Sequence, residues 1–142
     1  MTGNGTTAVL TTNGITGCVR SISLPDFVLE KIDASCLDSA GFMKYIPGDL
    51  TDPGECQLEI IFDPTYDFGA DLATGTGIMG SIDTLTVTFV KQNTGSAAGA
   101  ILAGTGFVTD FNLPDLANNE LAIVNVTFAF DGDTGPTWTA EA

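Results

Sequence analysis

Apolar residues alternate with polar ones along much of this chain, and that period of two restricts the possible folds more than any other feature. In residues 84–90, Leu85, Val87 and Phe89 fall on one side and threonines on the other. Residues 121–130 repeat the pattern over a longer stretch. Because successive side chains of a strand point to opposite faces, the alternation predicts half-buried antiparallel strands.

Further runs of the same kind predict shorter strands at 7–12, 18–24 and 27–32, another strand at 57–62 and a longer, glycine-interrupted one at 99–111. Between the runs stand Asn-Gly, Pro-Gly and Asp-Gly pairs, which are typical of tight turns. Only the segment from Pro64 to Ala73 has helical character, with Pro64 suited to the first turn and Asp63 to the cap. The predicted fold class is therefore all-β, mainly strands with one short flanking helix, in a β-sandwich or barrel.

The predicted strands belong to a single domain, and the edges of its sheets need protection. A length of 142 residues, without an internal repeat or a linker, predicts one domain over residues 1–142. Open sheets expose unpaired backbone groups, which proteins commonly block with lysine, proline or bulges. Lysine and arginine together number only 4 here. We therefore expect either that the sheet closes on itself or that its edges pair with a neighbouring copy.

The charge of the chain argues against two large functional classes. The formal net charge is −14, with 18 acidic residues and no histidine. Such a surface repels nucleic acid, because binding needs Lys or Arg to displace its counterions. Histidine is the residue most used for proton transfer near neutral pH. Hydrophobic residues still make up 44% of the chain, which favours a folded domain over disorder.

Motifs for catalysis, metals or membranes are weak. The serines lack a histidine partner, which excludes a conventional triad, and Asp-Gly-Asp at 131–133 lacks the spacing of a calcium loop. Cys18, Cys36 and Cys56 have no CxxC spacing and are expected to be free thiols, with one disulfide as the alternative. The run 97–106 is too short to span a bilayer, and the N-terminus does not resemble a signal peptide. We expect no enzyme, catalytic residue, cofactor, metal site or membrane contact.

The segment 33–54 combines turn residues with apolar ones. It contains several glycines and prolines, and it also carries Phe42, Met43, Tyr45, Ile46 and Leu50. Apolar side chains in a long, turn-rich loop are expected to bind something, since otherwise they would stay exposed. These five residues are therefore predicted to contact another molecule, and the alternative is that the loop folds over its own core.

Several short motifs in residues 27–64 follow one another in a recognisable order. They are Ile-Asp…Leu-Asp-Ser at 32–39, Phe…Tyr-Ile-Pro-Gly at 42–48, Asp-Pro-Gly-Glu at 52–55 and Phe-Asp-Pro at 62–64. Later come Gly-Phe-Val-Thr-Asp-Phe at 106–111 and Val-Asn-Val-Thr-Phe at 124–128. In this order and spacing, most of residues 20–138 resembles the major tail tube proteins of long-tailed bacteriophages. The segment after Pro64 is richer in glycine than the family pattern, which leaves the helix length open.

The resemblance implies a tail-tube β-sandwich that forms stacked hexameric rings, with sheets joining between subunits into a tube. It implies a structural virion protein of the tail, assembled in the host bacterial cytoplasm, with tape measure and tail terminator proteins as partners. DNA would pass through the lumen into the host without specific binding, and the acidic charge would prevent adhesion to the wall. The loop at 33–54 would order against the adjacent ring, making its five apolar residues inter-ring or inter-subunit contacts.

Two alternatives from other classes remain open at this stage. One is a monomeric β-sandwich binding or adhesin module, which would share the Thr- and Asp-rich strands; oligomeric size discriminates it from a tube subunit. The other is an acidic hydrolase, for which no assembled site is visible. The sequence also leaves open whether the particle is a phage, a gene transfer agent or a contractile or secretion-type relative.

Overall fold

The computed structural model describes residues 5–11, 19–36, 41–62, 79 and 81–142, and these form strands without a helix. The strands are β1 Thr7–Leu10, β2 Val19–Ser23, β3 Val28–Asp33, β4 Tyr45–Asp52, β5 Glu55–Ile61, β6 Asp83–Thr88, β7 Ile101–Phe111, β8 Ile123–Phe130 and β9 Thr137–Thr139. The all-β prediction is therefore confirmed for the described residues. The helix predicted at 64–73 lies outside them.

Most strands belong to one antiparallel sheet of seven strands. Its order is β1-β6-β7-β8-β5-β2, and β9 pairs with β7. Strands β8 and β9 share one edge of β7, since β8 pairs with residues 106–111 and β9 with residues 101–103. The order runs from β1 to β2 and does not close within the described ranges. The predicted sandwich or barrel therefore stays a prediction.

One face of the seven-stranded sheet forms the core. Its register places Leu58 opposite Val126, and it places both Cys56 and Val108 opposite Phe128. The buried hydrophobic residues that form one cluster are Ala8, Leu10, Cys56, Leu58, Ile60, Leu85, Val87, Leu102, Val108, Val124, Val126, Phe128 and Phe130. Because the outer strands β1 and β2 also pack on this cluster, the sheet curves around one core.

The buried cysteine has the environment expected of a structural thiol. Cys56 is fully buried in this core and forms no disulfide. Burial disfavours the thiolate and raises the pKa of Cys56 from its ordinary value of 9.0 to about 11. The group is therefore a neutral, unreactive thiol near pH 7, as the sequence predicts. Cys36 is exposed, and Cys18 lies outside the described residues.

Glycines in β7 make room for the aromatic rings of β8. A Cβ atom on Gly106 would lie 2.0 Å from the backbone oxygen of Ala129 and 2.9 Å from a ring carbon of Phe128. A Cβ atom on Gly104 would lie 2.8 Å from the ring of Phe130. The small residues that interrupt the alternation of β7 are thus required by close packing.

We expect Gly106→Ala to lower the free energy of unfolding by about 1–3 kcal/mol, because the new methyl group overlaps backbone that cannot move aside. Gly95→Ala is the matched control, since a Cβ atom there has nothing within 4 Å. Urea unfolding of both variants measures the difference. Equal midpoints would show that the contact between β7 and β8 is looser than the structure has it.

Strands β3 and β4 form a separate two-stranded sheet. The predicted loop at 33–54 is therefore corrected, because Tyr45–Asp52 is a strand paired with β3. Pro47-Gly48 is typical of a turn, yet here it begins a bulge in which three residues of β4 lie opposite Glu30. Gly48 permits this approach, since a Cβ atom would lie 2.8 Å from the backbone oxygen of Glu30.

Candidate assembly interface

Strands β3 and β4, with the described residues beside them (27–36 and 41–53), form a hairpin that we call the arm. Every residue of β3 is exposed, and so is nearly every residue of β4. Apolar side chains therefore face solvent on both sides of the hairpin, for example Val28, Leu29 and Ile32. An isolated two-stranded hairpin is at best marginally stable in water. The arm thus has the character of a segment that is completed by contact with another surface.

The five predicted contact residues all lie on this arm and are all exposed. Phe42 is 92% exposed and Leu50 83%, and the role of the five residues as contacts stays a prediction. Met43, Tyr45 and Ile46 lie close to Phe42 in the chain, whereas Leu50 lies in the bulge near the other end of β4. The structure therefore groups four of the five residues at one end of the arm, here called the tip (residues 41–46).

The side chains of the tip contact one another and the facing strand. The Nζ atom of Lys31 lies 4.3 Å from the centre of the Tyr45 ring, a cation–π geometry. The Tyr45 hydroxyl donates to the sulfur atom of Met43 over 3.4 Å. Ile32 lies directly opposite Ile46 on the other face. The tip therefore presents aromatic, aliphatic and cationic groups together.

Hydrogen bonds connect the two sides of the hairpin where β3 ends and β4 begins. The Ser35 N–H donates to Asp33 Oδ1 at 2.9 Å, and the Lys44 N–H donates to Ser35 Oγ at 2.8 Å. The bonds from Ser35 lower the pKa of Asp33, because they stabilise its charged form. A further bond joins the Ala34 N–H to the Lys44 oxygen at 2.8 Å. These bonds connect the two strands beside the tip.

The base of the arm is anchored at one end of the seven-stranded sheet. The Phe130 N–H donates to the Gly54 oxygen at 3.3 Å, where β8 ends and β5 begins. Gly54 has a φ of +78°, and a Cβ atom there would lie 2.4 Å from the backbone oxygen of Asp26. Glycine is needed for both reasons. The arm therefore begins and ends at neighbouring points, Asp26 and Gly54, beside the sheet.

The opposite end of the sheet carries a second exposed apolar segment, the connection of β7 to β8 at residues 112–122, here called the leucine connection. Leu113, Leu116 and Leu121 are 45%, 79% and 55% exposed. Reciprocal hydrogen bonds of Asn112 with Asn125, at 3.2 and 3.3 Å, join its two ends. Sequence reasoning missed this segment. The signal available was three leucines in a connection that is otherwise mostly polar.

The solvent face of the seven-stranded sheet carries polar and carboxylate side chains beside apolar ones such as Phe107. Cross-strand neighbours there include Ser21, Glu59 and Asn125 in one row. Thr127 lies beside both Gln57 and Asp110 in the next row. Arg20 is the one basic residue on the strands of this sheet. The strands of this face therefore offer few cations to a polyanion.

Metal clusters and membrane-spanning helices are absent from the described part of the chain. No group of three or more His, Cys, Asp or Glu side chains there is arranged to hold a metal ion. None of its elements is a helix long and apolar enough to cross a membrane.

Comparison with known proteins gives matches at the level of structure. No family model and no curated sequence matches the chain. A chain of the PVC extracellular contractile injection system, in its extended sheath/tube terminator structure, matches with TM-score 0.71 and 14% identity over 99% of this chain and 96% of that one. A chain of the PVC sheath-tube complex matches with TM-score 0.68 and 16% identity, over 95% and 88%. A chain of the anti-feeding prophage baseplate matches with TM-score 0.68 and 12% identity, over 95% and 91%.

These likenesses establish the fold. The structural neighbours are tube, terminator and baseplate components of contractile injection systems, and they support a tail tube protein fold. They do not point specifically to the long-tailed phages of the sequence resemblance. The coarser prediction, a tail-type β fold, is confirmed.

Proposed function

We propose that this protein is a structural subunit that self-assembles into stacked rings, which form the tube of a phage tail or tail-like particle. The observation that supports this most is the arm, whose apolar side chains are exposed on both faces of a hairpin without a core of its own. A monomer gains nothing from such exposure, whereas an assembly buries it. The fold shared with components of contractile injection systems supports the same function.

Ring closure would use the edges of the seven-stranded sheet. Strands β1 and β2 end the strand order in the described residues. Pairing β1 of one copy with β2 of the next is a heterologous contact, which closes into a ring when the rotation per copy fits. Rings of six, as the resemblance implies, would join these sheets into one barrel. This pairing also removes the exposed edges that the low lysine content leaves unprotected.

The solvent face of the sheet would then line the lumen. This face carries hydroxyl, carboxamide and carboxylate groups, among them those of Glu55 and Glu59, and it has few cations that could bind a phosphate backbone. DNA that passes without specific binding is the cargo that the resemblance implies, and such a wall suits it. Tape measure and tail terminator proteins are the further proposed partners, and the tail is the proposed location.

Sedimentation velocity and negative-stain electron microscopy of the purified protein test the proposal. We expect rings or tubes at high protein concentration, in place of a 14.7 kDa monomer. The competing hypothesis of a monomeric binding or adhesin module predicts one slowly sedimenting species at every concentration. A protein that stays monomeric at both low and high ionic strength would refute self-assembly, because salt screens the repulsion between acidic copies.

A further inference from the structure

We infer that the tip of the arm on one copy binds the leucine connection of the next copy along the tube axis. The inference rests on the proposed function, since it requires that copies assemble. The leucine connection is thus the surface that the tip binds, and both surfaces belong to copies of the same chain. The occupant of this surface is thus a second copy of the same chain.

The positions of the two segments favour contact between copies. The arm leaves the sheet where β5 begins at Glu55, and the leucine connection adjoins the end of β5 at Ile61, which pairs with Ile123. Along β5 these points are separated by about 20 Å, from the rise of a strand. Phe42 is 92% and Leu116 79% exposed, so neither covers the other within one copy.

The two surfaces also match in apolar character. The tip presents Phe42, Met43 and Ile46, and the leucine connection presents three exposed leucines within ten residues. Other exposed apolar residues outside the arm, such as Ile82 and Trp138, stand singly on separate elements. The leucine connection is therefore the apolar surface, among the described residues beyond the arm, that best fits the tip.

Charge selects the same pair of surfaces. Lys31 and Lys44 are two of the 4 basic residues of the chain, and both lie at or beside the tip. The leucine connection contains Asp115 and Glu120 and no basic residue. Between chains of net charge −14, most surface pairs repel. Asp33 lies opposite Tyr45 and offsets one of the two lysines, which leaves the tip with a net positive charge. Its contact with the acidic connection is therefore one of the few that attract.

The geometry of this contact suits stacking. It joins two different surfaces of identical chains, so each copy still offers a free tip at one end and a free connection at the other. Repetition of such a head-to-tail contact extends an assembly along the strand direction. Lateral pairing of β1 with β2 uses other residues, so rings and stacks can be disrupted separately.

Charge reversal distinguishes this contact from general repulsion. We expect Lys44→Glu to weaken stacking at least about tenfold, and Asp115→Lys with Glu120→Lys to weaken it similarly. The second result is opposite to the one that net charge predicts, because added lysines reduce repulsion between copies. Combining all three changes should restore most of the lost association. The matched controls are Lys91→Glu and Asp133→Lys, exposed sites outside both surfaces, which should leave stacking within about twofold.

Cysteine cross-linking supplies a second measurement. In a Cys18→Ser, Cys36→Ser background, chains with Phe42→Cys and chains with Leu116→Cys should form mixed disulfide dimers under oxidation. Chains that combine both changes should form covalent ladders. Suppose that the wild-type protein stacks, but that the combined charge reversal does not restore stacking and no cross-links form. That result would overturn this inference and leave the proposed function standing. A wild-type protein that never assembles would overturn both.

Discussion

Replacement of residues 27–53 by an Asn–Gly turn is expected to abolish assembly and leave a folded monomer. The described residues of the arm contribute nothing to the core cluster. Asp26 and Gly54 already lie in backbone contact, so a two-residue turn can join them. We expect the free energy of unfolding to change by less than about 1 kcal/mol. Sedimentation velocity reports the assembly, and urea unfolding reports the fold.

A second variant separates the backbone of the arm from its side chains. It keeps the hairpin and replaces Phe42, Met43, Tyr45, Ile46 and Leu50 with threonine or serine. If apolar contact drives stacking, this variant should also remain unstacked, although its strands can still pair. Tubes formed by the arm-deleted protein would show that the arm is dispensable, and the proposed function would then need another interface.

Phe128→Ala is expected to destabilise the fold, whereas Phe42→Ala is expected to weaken assembly and leave the fold intact. Phe128 is fully buried, and its ring meets that of Phe130 edge-on at 5.4 Å. Its loss should lower the free energy of unfolding by about 3–5 kcal/mol, from lost burial and the cavity left behind. Phe42 is 92% exposed, so Phe42→Ala should leave unfolding unchanged and reduce stacking.

Urea unfolding below the assembly concentration measures the first effect, and sedimentation at high concentration measures the second. Domains of this size have about 5–15 kcal/mol of stability in total, so the Phe128→Ala variant can be largely unfolded even without urea. Phe128→Leu, which retains more apolar volume, then supplies a smaller loss in the same direction. A large fall in unfolding free energy for Phe42→Ala would place that ring in the monomer core and contradict the assignment of the tip.

Much of the candidate interface was predictable from the residues themselves. Phe42, Met43, Tyr45, Ile46 and Leu50 stood out because apolar side chains in a turn-rich segment have no local reason to be there. Their exposure follows from the arm lying apart from the core. The strand Tyr45–Asp52 was missed because Pro47 and Gly48 are typical of turns. A bulge is set by the partner strand, and local sequence does not specify the partner.

The leucine connection could not be predicted as a site from its sequence. Leu113 and Leu116 belong to no alternating run, and Leu121 stands only at the start of the predicted strand 121–130, so the sequence assigned the three leucines no common role. Their significance comes from their place at the end of the sheet opposite the arm, and from Asp115 beside them. Both facts depend on which strands pair, because pairing decides which connections share an end of the sheet.

The amino-acid sequence by itself determined the strand class and most strand positions, since a period of two can satisfy burial on one face only in an extended chain. It also determined the strong acidity and which apolar residues lack a core. Tertiary structure alone decided the strand order, the conversion of a predicted loop into a hairpin arm, and the separation of arm and leucine connection to opposite ends. These features depend on contacts between residues far apart in the chain, which local periodicity cannot encode.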